Sequence, residues 1–128
     1  VETTKKAMEK GIAVVKPGAR FSDIGKAIEK YAHKFEYGVV QDFTGHGIGK
    51  QFHEEPHIFH YDTGQPGPRI EAGMAFTIEP MINASPDWRS VTDKRDGWTA
   101  RTVDGAISAQ WEHTILVTPS GSEIMTQA

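Results

Sequence analysis

The apolar residues of this chain change their spacing at Gly38, and that change limits what it can fold into. Before it, Met8, Ile12 and Val15 recur every three or four residues, so they share one face of a helix predicted over 2–16, which Pro17-Gly18 ends. Ser22 is placed to cap a second helix, Asp23 suits its positive start, and Ile24, Ile28, Tyr31 and Phe35 form its apolar stripe. After Gly38 the helical period is gone. Runs of β-branched and aromatic residues broken by glycine predict strands near 39–43, 74–82, 98–103 and 108–118, with a short one near 122–126. Gly and Pro make 62–73 a loop, and 83–97 reads as a polar hairpin connection. Two helices followed by a mostly antiparallel sheet define an α+β fold, expected as one domain over 1–128.

A chain of 128 residues with 38% hydrophobic residues is long enough to bury roughly two-thirds of its unfolded surface. Seventeen acids against fourteen Lys plus Arg give a net charge of −3, which offers no basic field to a nucleic-acid backbone. The absence of cysteine excludes disulfides, thiolate metal sites and Cys nucleophiles, so any metal must use His and carboxylates. No apolar run approaches the roughly 20 residues needed to cross a bilayer, and Val1 to Lys10 is charged, without a signal-peptide core. No membrane partner is expected, and the expected location is cytoplasmic, or an organelle if a targeting segment has been removed. His46, Glu79 and Glu112 are each 33 residues apart, but their surroundings GHGIG, TIEPM and QWEHT differ, which rejects a structural repeat.

Four of the six histidines, His46, His53, His57 and His60, fall within residues 46–60. Taken singly, such a histidine is more often a surface or satisfied core residue than a ligand. In GHGIG the glycines around His46 let backbone come close to a ligand or metal, or simply make a turn. HEEP at 53–56 adds a second imidazole, two carboxylates and a proline that fixes the backbone. Glu79 is the one charged residue among Phe76, Ile78, Met81 and Ile82, and Glu112 repeats the pattern in ISAQWEHTILV. A lone carboxylate in a buried strand is costly unless it is paired or holds a cation; on an edge strand it would simply face water. Two such strands and a glycine-flanked histidine make a metal site the simpler account. One imidazole with two carboxylates suits Mn²⁺, Fe²⁺, Co²⁺ or Zn²⁺. Three protein ligands leave room for water, which a divalent ion makes nucleophilic, so the residues suggest metal-assisted hydrolysis.

GHGIG, FHEEP, FTIEPMIN, DGWT and SAQWEHTILVT, in this order, resemble the C-terminal half of type I methionine aminopeptidases of the pita-bread fold, from about Thr3 to Thr126. The first three motifs also fit proline-specific peptidases; PMIN, DGWT and SAQWEHT narrow the match. The resemblance implies that His46, Glu79 and Glu112 are metal ligands, with Glu112 bridging two ions. It implies that His53 hydrogen-bonds the scissile peptide group and steadies the tetrahedral intermediate. Glu79 would also carry the water proton to the leaving amine, and Phe52 and Trp98 would line a methionine side-chain pocket. The expected substrate is a peptide or nascent chain with an N-terminal methionine followed by a small residue. His57 and His60 are expected in loops or on the surface, His113 is expected to be structural because alternation turns it away from Glu112, and Glu54 and Glu55 fix their loop or are solvated.

The N-terminal half of that family supplies two aspartate ligands, a further histidine and part of the pocket. Asp42, Asp62, Asp87, Asp93, Asp96 and Asp104 match neither missing ligand. The expectation is therefore a half-site that needs a complementary half chain, or a homodimer in which a second copy docks by the fold's two-fold pseudosymmetry. Two ions would occupy a completed site. The alternative is a catalytically inactive half-domain that binds one ion or a protein partner.

Overall fold

In the computed structural model, which describes residues 2–41, 44–48, 54–92, 100–102 and 107–126, helix α1 (Glu2–Ala13) buries Thr4, Ala7, Met8 and Gly11 along one face. The helix ends earlier than the apolar spacing predicts. Val14 and Val15 donate to carbonyls three residues back, at 3.4 and 3.0 Å, so the last turn tightens ahead of Pro17. Helix α2 (Phe21–His33) buries Phe21, Ile24, Gly25, Ile28 and Ala32. Its start differs from expectation, because the N-cap is Arg20 and not Ser22. The Asp23 carboxylate reaches back to accept the Arg20 N–H at 3.0 Å, which satisfies a donor at the helix start without a capping hydroxyl. Phe35 lies beyond the helix and is 47% exposed, so the apolar stripe stops short of it.

The described strands are β1 (Gly38–Val39), β2 (Gly45–Gly47), β3 (Glu54–Ile58), β4 (Ala75–Ile78), β5 (Met81–Asn83), β6 (Ser90–Thr92), β7 (Ala100–Thr102), β8 (Ser108–Gln110), β9 (His113–Thr118) and β10 (Gly121–Ile124). They form an antiparallel five-stranded sheet in the order β10-β9-β4-β2-β3, a three-stranded sheet β1-β5-β8 and the ribbon β6-β7. The α+β fold of two helices and antiparallel sheets is therefore as the sequence implies.

Several boundaries are corrected. The run 74–82 is not one strand but β4 and β5, separated at Glu79-Pro80, and 108–118 is β8 and β9, separated at Trp111-Glu112. Proline has no N–H to give a ladder, so a break at Pro80 follows from its chemistry. The strand near 39–43 is confined to Gly38–Val39, with Asp42 and Phe43 outside the described residues. Residues 98, 99 and 103 of the expected 98–103 strand also lie outside them. The connection 83–97 contains β6, which pairs with β7. The segment 62–73 is a loop, docked on the start of α2 by Phe21 N–H to Pro68 O at 3.0 Å and Ile70 N–H to Ala19 O at 2.7 Å.

One face of the large sheet packs on the helices. Phe76 from β4 meets Phe21 of α2 edge to face, with ring centroids 5.1 Å apart. Ile78, Ile115 and Val117 extend that buried layer toward Met8, Ile24 and Ile28. Phe76 is 1% exposed, so Phe76→Ala is expected to cost about 3–5 kcal/mol in urea unfolding, and Phe76→Leu less. An unchanged midpoint in Phe76→Ala would contradict its place at the centre of the core.

Candidate functional site

The two strand breaks face each other. β4 pairs with β9 from Ala75↔Leu116 to Ile78↔His113, and β5 pairs with β8 from Met81↔Gln110 to Asn83↔Ser108. The register carries through the gap without slipping, so Glu79 falls opposite Glu112 and Pro80 opposite Trp111. The Trp111 N–H donates to Pro80 O at 3.4 Å, and the Gln110 side-chain amide donates to Glu79 O at 3.3 Å. Phe76 and Ile78 face the helices, so alternation sends Thr77 and Glu79 to the opposite face, with Thr114 and Glu112 beside them.

The electrostatics follow from that juxtaposition. Burial, then the neighbouring charge of Glu112 and a hydrogen bond with its carboxyl, push the Glu79 carboxyl up from 4.5 to about 7. Glu79 is half-buried while Glu112 is exposed, so the pair opens outward on the Glu112 side. Two acidic groups in hydrogen-bond contact, one holding its proton toward neutrality, are a donor set that a divalent cation fits. The cation would replace the shared proton and remove the repulsion.

His46 reaches the same face by a different route. The pairing Gly47↔Phe76 puts His46 beside Thr77, and the His46 N–H donates to Thr77 Oγ1 at 3.0 Å. Gly45 permits this approach, because a Cβ there would collide with the Thr77 carbonyl oxygen. The glycine before His46 thus lies in a strand and serves strand packing, whereas the sequence suggested approach to a ligand or metal, or a turn. The His46 ring lies with Nδ1 3.2 Å from Gly47 O. Among the described residues, no group of three or more His, Cys, Asp or Glu side chains is gathered closely enough to hold a metal ion. The structure therefore brings Glu79 and Glu112 together and leaves the His46 ring on their face but not in a three-residue cluster.

His53, Phe52 and Trp98 lie outside the described residues. Glu54 and Glu55 belong to β3 and not to a loop. His57 is exposed on β3, with Nδ1 3.3 Å from Thr44 Oγ1. His113 is in β9, with Nδ1 2.9 Å from Thr126 Oγ1. Asp62 accepts from the Gly64 N–H at 2.9 Å. Asp87 forms a two-point contact with Arg89 at 2.9 and 2.8 Å, whose side-chain and backbone donors hold its carboxyl below the usual range. Both aspartates are thus engaged locally.

His60 lies in the bend after β3, as expected of a loop residue, but not on the surface. It is 1% exposed, and its Nε2 accepts the backbone N–H of Glu79 at 3.1 Å. Its burial continues the alternation of β3, with His57 exposed, Ile58 buried, Phe59 exposed and His60 buried, but the residue types His-Ile-Phe-His do not alternate and so leave no signal of it in the sequence. Thr77, which holds the His46 backbone, was likewise not singled out by sequence, since a threonine in a strand run carries no anomaly of its own.

Residues 1–119 match the metallopeptidase family M24. The methionine aminopeptidase of Rickettsia prowazekii is 52% identical over 126 residues, which cover 98% of this chain and 48% of that protein. A crystal structure of methionine aminopeptidase from the same organism superposes with a TM-score of 0.94 at 51% identity, covering 99% of this chain and 51% of that one. The corresponding structure from Thermotoga maritima gives a TM-score of 0.94 at 42% identity, covering 100% and 51%. The fold is the pita-bread fold of these structures, and the chain spans about half the length of the curated relatives it matches.

The carboxyl pair has a signature in the metal-free chain. Between pH 4.5 and 7 the folded state keeps on Glu79 a proton that the unfolded chain has released, so this group's contribution to stability falls as pH rises through that window. Urea midpoints of the parent are expected to drop across it relative to those of Glu79→Gln, with the difference vanishing below pH 4.5. Parallel pH profiles for the two proteins would contradict the pairing.

Proposed function

Because the chain belongs to metallopeptidase family M24, we propose that it supplies the metal-holding half of an aminopeptidase that removes N-terminal methionine from peptides and nascent proteins. The observation that carries this reading is the Glu79–Glu112 pair, set face to face by an unbroken register with one carboxyl raised to about 7. Identity of 52% to a protein named methionine aminopeptidase supports the substrate class. Glu79 and Glu112 would hold the cation, with His46 turning its ring toward them from the same face, and Glu112 would be shared between two ions in a completed site. Mn²⁺, Fe²⁺, Co²⁺ and Zn²⁺ all suit this donor set. When bound, such an ion supplies an activated water and polarises the peptide carbonyl.

The remaining work falls to this chain's own side chains. Glu79 carries a proton toward the leaving amine. His53 donates to the scissile group where negative charge develops, and Phe52 and Trp98 enclose the methionine side chain; these roles rest on the FHEEP and DGWT motifs. The site is completed by a complementary N-terminal half chain or by a second copy of this chain. A second reading, a non-catalytic half-domain that binds one ion or a protein partner, is favoured by one observation: no third ligand stands beside the two carboxyls among the described residues.

Hydrolysis of Met-Ala-Ser with added Mn²⁺ or Co²⁺, measured alongside the mass in solution, separates these readings. Turnover by a dimeric chain supports completion by a second copy, and turnover only with the complementary half supports the split enzyme. No turnover in either case, with Mn²⁺ still bound, leaves the non-catalytic reading standing and defeats the peptidase. In an active assembly, His46→Ala is expected to abolish metal binding, whereas His53→Ala retains the metal and slows turnover by about 10².

A further inference from the structure

Glu79 sits where the large sheet runs out of partners. On one side β4 is matched to β9, but on the other β2 begins only at Gly45 and bridges β4 at Gly47↔Phe76. The next residue, Pro80, has no N–H to continue the ladder. The Glu79 N–H is taken instead by a side chain 19 residues away in sequence, His60 Nε2 at 3.1 Å. Gln110 holds the Glu79 carbonyl at 3.3 Å, so the Glu79 backbone is gripped on both its donor and its acceptor side.

We propose that His60 is a positioning residue, which fixes the backbone of Glu79 and thereby aims its carboxyl at Glu112. The assignment rests on the reading of Glu79 as a metal-holding group. An imidazole nitrogen that accepts a hydrogen bond must carry its lone pair, so the ring proton of His60 sits on Nδ1. His60 is enclosed, and the backbone on either side of it is packed closely. It is 1% exposed, and α2 presses on its segment through Gly25, where a Cβ would stand 2.8 Å from Phe59 O and collide with Tyr61 O. A ligand carboxylate needs such support, because small displacements of its backbone swing the oxygens away from a cation.

The test compares His60→Leu, which removes the acceptor, with His60→Gln, whose carboxamide oxygen can take its place, and Glu79→Gln as control. Amide exchange at Glu79 is read in the metal-free chain, and Mn²⁺ affinity by calorimetry. His60→Leu is expected to speed exchange at Glu79 while Ile78 and Ile115 stay protected, and to weaken Mn²⁺ binding about tenfold. His60→Gln is expected to restore both. If His60→Leu binds Mn²⁺ like the parent while Glu79→Gln binds it weakly, the positioning role is wrong and the metal-holding pair survives. If Glu79→Gln also binds like the parent, the reading of the pair fails and takes this assignment with it. Should His60→Leu not fold, the parent decides: a through-hydrogen-bond nitrogen–nitrogen coupling between the Glu79 amide and His60 Nε2 supports the role, and its absence overturns it.

Discussion

The pairing of 75–78 with 113–116, resumed without slip by 81–83 with 108–110, is the constraint on which the rest of this structure depends. A shift of one residue would move every side chain of one strand to the opposite face. Phe76 and Ile78 would leave the helices, and Glu79 would no longer oppose Glu112. The apolar core and the carboxyl pair are thus set by the same register. The burial of Phe76 against Phe21 holds the alignment that sets two acids against each other.

That arrangement stores an unfavourable interaction in a stable frame. Half-burial and a like charge keep the Glu79 proton on toward neutrality, a state that opposes folding as pH rises and that a cation would relieve. Strained electrostatics of this kind are expected at functional sites more than in purely structural sheets. His46, one strand over and tied to Thr77, places an imidazole on the same face, although the three side chains are not gathered into a cluster.

Much of this was legible in the sequence, and the reasons differ by residue. Glu79 and Glu112 stood out because a charge within an apolar run is costly wherever the run is buried. The helices were legible from spacing, yet their ends were not: a carboxylate at Asp23 closes the start of α2 where the sequence pointed to the hydroxyl of Ser22, and short-range carbonyl bonds stop α1 before Pro17. β2 and β3 were hidden because glycines and a Glu-Glu-Pro run lack the apolar alternation that marks a strand, and their pairing is decided by partners distant in the chain. His60 was hidden for a related reason: its role is a hydrogen bond to the backbone of Glu79, and backbone needs created by a strand break leave no residue pattern. That the two strand breaks coincide in space depends on register, which no local window contains.

The central claim is that Glu79 and Glu112 form one cation-responsive unit, and carboxyl-carbon NMR across pH tests it most directly. In the metal-free chain the Glu79 resonance is expected to titrate near 7. With saturating Zn²⁺, both carboxyls are expected to change shift and Glu79 to lose its titration near neutrality. Two carboxyls that titrate independently at ordinary glutamate values, with or without the metal, would contradict the account.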